Sequence, residues 1–198
     1  GGNVTVKFPG SNTQTVFGSV TIPLHRVIVS KTTGDITLQK EVTIANSIKF
    51  NTGYIVSSST NLLTIKHGAT VSSASSTSFV KGPVKKVGSA SFIFPVGKGT
   101  NYNPIAIAAP SASTDAFTAE YHNQIRPYFS NKDSLTYLSD CEYWDLSRVT
   151  GSSNVQVTLN WNSNSCDIYT LSTLRIGRWD GSKWNNTGPV TTTGNTTA

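Results

Sequence analysis

ITLQKEVTIANSIKFNTGYIV, residues 36–56, decides how this chain is read. It contains Ile36-Thr-Leu38, Val42-Thr-Ile44, Ile48-Lys-Phe50 and Tyr54-Ile-Val56, three-residue units at six-residue spacing. The first three units turn two apolar side chains one way and a polar one the other, the period-two signature of a strand. Strands this short pair poorly as hairpins. A fixed short period predicts coils of a parallel β-solenoid instead, about three strands to a coil. An antiparallel meander is the competing arrangement.

The rhythm extends in both directions. Downstream, Leu62-Leu-Thr-Ile65 and Ala69-Thr-Val71 follow a longer turn at Ser57-Ser-Ser-Thr-Asn61. Upstream, Ser19-Val20-Thr-Ile22 and Leu24-His-Arg-Val27-Ile-Val29 suit earlier coils, and Val4-Thr-Val6-Lys-Phe8 a first, capping strand. After Val80 the texture changes. Ser91-Phe-Ile-Phe-Pro-Val96, Pro104–Ala109, Ala116–Tyr121, Cys141–Leu146, Asn154–Trp161 and Leu174–Trp179 are longer strands, and Asp180-Gly181 is a hairpin turn before Lys183-Trp184. The expected organisation is all-β: a solenoid segment over residues 1–80, an antiparallel β-sandwich over 81–190, and a Thr-rich linker or terminal strand over 191–198.

Composition agrees. Of 198 residues only 13% are charged, Ser and Thr make up roughly a quarter, and Gly and Pro add 16 and 8. Such a chain disfavours helix and excludes a coiled coil or a transmembrane bundle. It has no Met and opens on Gly1-Gly2, as a mature or interior segment would. Its two cysteines, Cys141 and Cys166, in Ser/Thr/Asn-rich text suit a disulfide made in an oxidising compartment, with unpaired thiols as the alternative.

The net charge of +6 is lopsided: residues 1–110 carry +8 and residues 111–198 carry −2. Lys7, Lys31, Lys40, Lys49, Lys66 and Lys81 stand singly in strand-like text and only Lys85-Lys86 is adjacent, a pattern of solvated lysines on exposed strands. Specific nucleic-acid recognition and membrane insertion are therefore not expected.

Six stretches stand out: Ile48–Val56, Ser78-Phe-Val-Lys-Gly82-Pro83, Phe92-Ile-Phe94-Pro95-Val96-Gly97-Lys98-Gly99, Tyr102-Asn-Pro104, Tyr143-Trp144-Asp-Leu146 and Leu174-Arg-Ile-Gly-Arg-Trp179-Asp-Gly181-Ser-Lys-Trp184. Through them the chain, from about Leu24 to Gly188, resembles a module found in large surface and secreted proteins of the Bacteroidetes that leave the cell by the type IX secretion system. The resemblance implies a short β-helix followed by a β-sandwich, extracellular at the bacterial cell surface and without catalysis. Implied partners are copies of the chain or neighbouring domains of the same surface protein.

Catalytic chemistry is not expected, and no cofactor or metal. His25, His67 and His122 lack zinc spacing, and no Gly-x-Ser-x-Gly elbow occurs. Gly97-Lys98-Gly99 reads as a glycine turn and not a phosphate loop. Asp140, Glu142 and Asp145, with Asp167, are acids that a Ca²⁺ ion or a glycosidase would use, without the spacing either requires. Trp179 and Trp184 face each other across the Asp-Gly turn, as hairpin stabilisers or as a stacking platform for polysaccharide. Asp133-Ser134-Leu135 resembles the O-glycosylation signal of the same bacteria, with Ser134 as acceptor. Asn3, Asn185 and Asn195 begin N-glycosylation sequons. The expected role is a structural or adhesive surface module, a head-to-tail fibre subunit. A carbohydrate-binding accessory module of a larger secreted enzyme is the alternative.

Overall fold

The computed structural model describes residues 3–128, 130–166 and 168–194. The chain is all-β, 48% strand and 2% helical, and its first hundred residues form a solenoid-like stack. The first coil is β1 (Thr5–Gly10) and β2 (Gln14–Val16); the second is β3 (Ile22–Lys31) and β4 (Ile36–Leu38). The third is β5 (Val42–Thr52) and β6 (Ile55–Val56). The fourth is β7 (Leu63–Ile65), β8 (Thr70–Ser72) and β9 (Val80–Lys81). A last turn adds β10 (Val84–Val87), β11 (Phe92–Phe94) and β12 (Val96–Lys98).

Parallel ladders join the coils. One runs β1, β3, β5, then β7 and β8 side by side, and passes from β7 to β10; the other runs β2, β4, β6, β9, β12. Ile22, Val42, Leu63 and Val84 occupy one register position, 20, 21 and 21 residues apart. The coil is therefore longer than three six-residue units. The reason lies in β5, where Val42-Thr-Ile44 and Ile48-Lys-Phe50 fuse into one strand that turns a corner at the exposed Ala45 and Asn46. Asn46 is the extra residue relative to β3, and its Oδ1 accepts the Nε–H of Arg26 at 3.1 Å.

Inward residues stack in columns: Phe8, Val29 and Phe50; Leu24, Ile44 and Ile65; Ile36, Ile55, Val80 and Val96. In the inner coils these side chains are fully buried, each contributing roughly 1.5–3 kcal/mol over exposure.

Two lysines contradict the expectation that they are solvated. Lys31 is 1% exposed, and its ammonium donates to the Pro9 and Asn12 carbonyls at 3.0 and 2.5 Å and to Gln14 Oε1 at 3.0 Å. Lys86 is 3% exposed and donates to the Lys66 and Ala69 carbonyls at 2.9 and 3.0 Å. Each fastens a turn of the preceding coil, whose inward carbonyls would otherwise be unsatisfied.

The remaining strands are β13 (Asn101–Tyr102), β14 (Ile105–Ile107), β15 (Ala116–His122), β16 (Lys132–Asp133), β17 (Tyr143–Thr150), β18 (Val157–Leu159), β19 (Arg175–Trp179) and β20 (Trp184–Pro189). The parallel ladders run on past residue 80, and antiparallel pairing begins only with β13 on β12 and β15 on β10. β14 lies antiparallel between β11 and β18.

Two compact units result. One comprises Gly1–Tyr121 and Trp144–Asn160, so the solenoid and the first antiparallel strands share a core; the other comprises His122–Tyr143 and Trp161–Ala198. The second is built on a small sheet in which β20 lies between β16 and β19. Of the Thr-rich end, residues 191–194 carry no strand, and 195–198, Asn195 among them, lie outside the described residues.

Candidate functional site

The most exposed apolar region of the solenoid unit is its first coil. β1 and β2 are the terminal strands of their sheets. Val4 and Gly10 direct their carbonyls at β3, accepting from the amides of Arg26 and Thr32. Strand alternation therefore turns the backbone of Thr5 and Lys7 away from β3, while Pro9 has no N–H to give and its carbonyl accepts the Lys31 ammonium. The inward columns open here as well. Phe8, Val16, Ile22 and Leu24 are half-buried, whereas their counterparts one coil in are buried. Phe17, in the segment climbing from β2 to β3, is 75% exposed, and Val4 and Val20 are also exposed.

The second unit carries an aromatic cluster. Trp184 is only 8% exposed, its ring 5.6 Å from Trp179 and beneath the Arg126 guanidinium at 5.4 Å. That burial removes Trp184 as a stacking platform: a sugar needs an open ring face. Trp179 lies between it and Tyr128, whose ring is stacked at 5.4 Å and 9°. The hairpin turn is held by Asp180. Its Oδ1 accepts the Ser182 and Lys183 amides at 2.8 and 2.9 Å, and its Oδ2 accepts Asn185 Nδ2 at 2.7 Å. These donors, the Lys183 amide foremost, hold the Asp180 carboxyl well below the usual range.

Cys141 and Cys166 form a disulfide, with Cα atoms 6.2 Å apart. Asp140 lies beside the bridge, but both sulfurs are used in it and the trio offers no thiolate to a metal. Glu142 is buried, Asp140 is exposed and Asp145 stands on β17, while Asp167 lies outside the described residues.

Ser134 is exposed just beyond β16 with φ 56°, its hydroxyl donating to Asp133 Oδ1 at 3.1 Å. Lys183 pairs with the other Asp133 oxygen at 2.8 Å; the pair lowers the Asp133 pKa and raises that of Lys183.

The histidines do not converge. His67 is exposed beside Gly88, His25 is half-buried on β3, and His122 stacks on Tyr143 at 4.4 Å. Gly97 is a steric necessity, since a Cβ there would stand 2.3 Å from the Asn101 carbonyl and 2.5 Å from the Phe79 ring. Lys98 pairs with Glu120 at 3.8 Å, so this glycine stretch is a close-packed turn.

Sequence reading missed a buried polar relay. Ser111 and Ser153 hydroxyls lie 2.6 Å apart, and Ser153 donates to the buried Asp115 carboxylate. The relay ties the loop before β15 to the loop before β18, with no imidazole to make a nucleophile of either serine. Only spacing of 38 and 42 residues joins the three, so no local motif announces them.

No helix among the described residues is long and apolar enough to cross a membrane. Comparison with protein-family models, curated proteins and solved structures yields no match.

Proposed function

We propose that this chain is a non-catalytic structural or adhesive module of an extracellular bacterial surface protein, working by end-on stacking of its solenoid. The observation that carries the reading is the open first coil: two strand edges with no partner strand among the described residues, around a mouth of half-buried Phe8 and Val16, with Ile22 and Leu24 of the second coil beside them. A parallel stack buries its columns only when another layer follows, so an uncovered apolar end is a docking surface by construction. Pro9 confines pairing to Thr5 and Lys7, which fixes the register of whatever adds there. The occupant is a second copy docking head to tail, a heterologous contact that propagates as a fibre. The disulfide and the resemblance to type IX secretion cargo support an extracellular location, and the exposed Ser134 an O-linked glycan.

The excess positive charge falls in the solenoid unit, which has eleven Lys/Arg against five Asp/Glu, while the other unit has five of each. Like-charged modules repel at low ionic strength, so salt acts on assembly directly. The test is negative-stain microscopy with sedimentation over a concentration and salt series. Ordered fibres that are lost in Lys7→Pro, which deletes an outward N–H, support the reading. A monomer at every concentration, with Lys7→Pro indistinguishable, overturns it.

A further inference from the structure

We infer a carbohydrate-binding platform on the second unit, centred on Tyr128 and separate from the solenoid end. Tyr128 is 67% exposed, and its φ of 61° lies in the left-handed region that a bulky L-residue rarely occupies. One ring face rests on Trp179 at 5.4 Å and 9°, so the other is presented flat to solvent. Strain at an exposed aromatic is retained where the side chain's orientation matters.

Several other aromatic rings carry a cation. Lys81 lies over Tyr54 at 3.8 Å, and Arg126 covers both Tyr143 and Trp184, at 4.7 and 5.4 Å. Among the described residues Tyr128 carries no such cation. The turn holding it is braced on the hairpin: the Asn131 amide donates to the Tyr128 carbonyl at 3.1 Å, the Asn131 carbonyl accepts the Trp184 amide at 2.8 Å, and Asn131 Nδ2 reaches the Ser182 carbonyl at 3.4 Å.

The surroundings of the turn are neutral and polar. Ser130, Asn131 and Ser182 supply hydroxyls and an amide, while the nearby ions Lys183, Asp133 and Asp180 are engaged with one another or with the turn, and Arg126 with the rings of Tyr143 and Trp184. A flat, electron-rich ring beside hydroxyls and an amide, with its charges already satisfied, matches the C–H face and equatorial hydroxyls of a neutral hexopyranose. The ligand class is therefore a neutral polysaccharide. Trp179, stacked directly beneath, supports the ring and reports on it; Trp184 lies buried behind.

The test titrates the intact oxidised chain with β-1,4-linked gluco-, xylo-, manno- and galacto-hexasaccharides, followed by tryptophan fluorescence. At least one is expected to give a saturable shift. Tyr128→Phe keeps that affinity and Tyr128→Ala weakens it about tenfold. Tyr128→Gly relieves the left-handed strain, so it melts no lower than the parent yet loses binding to the same extent. A flat response to all four sugars overturns the inference, as does undiminished binding in Tyr128→Gly.

Discussion

Replacing Phe50 with alanine removes a fully buried ring from the column that also holds Val29 and Phe8. Phe50 is enclosed by coils on both sides, so the loss combines the transfer of the ring with the cavity it leaves, about 4 kcal/mol. Phe8, in the same column, is half-buried at the open coil. Phe8→Ala forgoes about half of the transfer and encloses no cavity, about 1.5 kcal/mol. At roughly 2–4 °C per kcal/mol for a chain of this size, Phe50→Ala lowers the melting temperature by about 8–16 °C and Phe8→Ala by about 3–6 °C. Calorimetry and urea unfolding at low protein concentration read both values. Equal costs for the two substitutions would refute the argument, because they would mean that the first coil is already covered in the isolated chain. If copies dock there, the cost of Phe8→Ala grows with protein concentration while that of Phe50→Ala stays fixed.

Three further outcomes follow from the geometry. Cys141→Ser with Cys166→Ser opens a loop of 25 residues and lowers stability by about 3.5 kcal/mol on the chain-entropy scale; urea melts with and without reductant check it, and identical midpoints would contradict it. Gly53→Ala puts a Cβ 2.4 Å from Lys31 Cβ at φ 86°, so it costs about 2–4 kcal/mol, whereas Gly99→Ala has open space and costs only its positive φ; denaturant midpoints of the pair separate crowding from backbone strain. Asp133 and Asp180 have folded-state pKa values below their ordinary 3.8, so the stability they lend the hairpin is complete above that pH and is lost as pH falls through the lower folded values; near-UV circular dichroism of the tryptophans follows it, and in Asp180→Asn only the share that Asp133 contributes is still lost.

The parallel stack was legible because paired inward residues recur in every coil, and Ile36, Ile55, Val80 and Val96 do form one column. Two features of the coil were not. Ala45-Asn46 reads as a turn between two short strands, yet backbone pairing to β3 carries the strand through the corner. Val80 marks a change of texture, but whether a strand joins a parallel ladder depends on the coil before it, so the ladders continue to β12.

Lys31 and Lys86 look solvent-facing because alternation alone assigns polar residues outward. Their carbonyl acceptors lie 17–22 residues away, beyond any local pattern. At the aromatic site, the pairing of Trp179 with Trp184 was readable from the Asp-Gly hairpin. That Trp184 is buried and Tyr128 presented follows from a turn some fifty residues upstream and from a backbone angle that sequence does not encode for tyrosine. The disulfide was legible for a compositional reason: an even cysteine pair in a chain suited to an oxidising compartment.

The Cys141–Cys166 bridge also closes a covalent ring around residues 144–160, the segment through which the chain contributes β17 and β18 to the solenoid unit. Under mechanical tension between the chain ends, force passes across the bridge and bypasses that segment. β17 and β18 are thereby relieved of load, while the coils from β1 to β12 and strand β15 carry it in series. Reduction would release about 85 Å of additional contour, 25 residues at about 3.4 Å each. The bridge thus sets how far the chain can be drawn out, and the oxidised chain has a shorter reach than its reduced form.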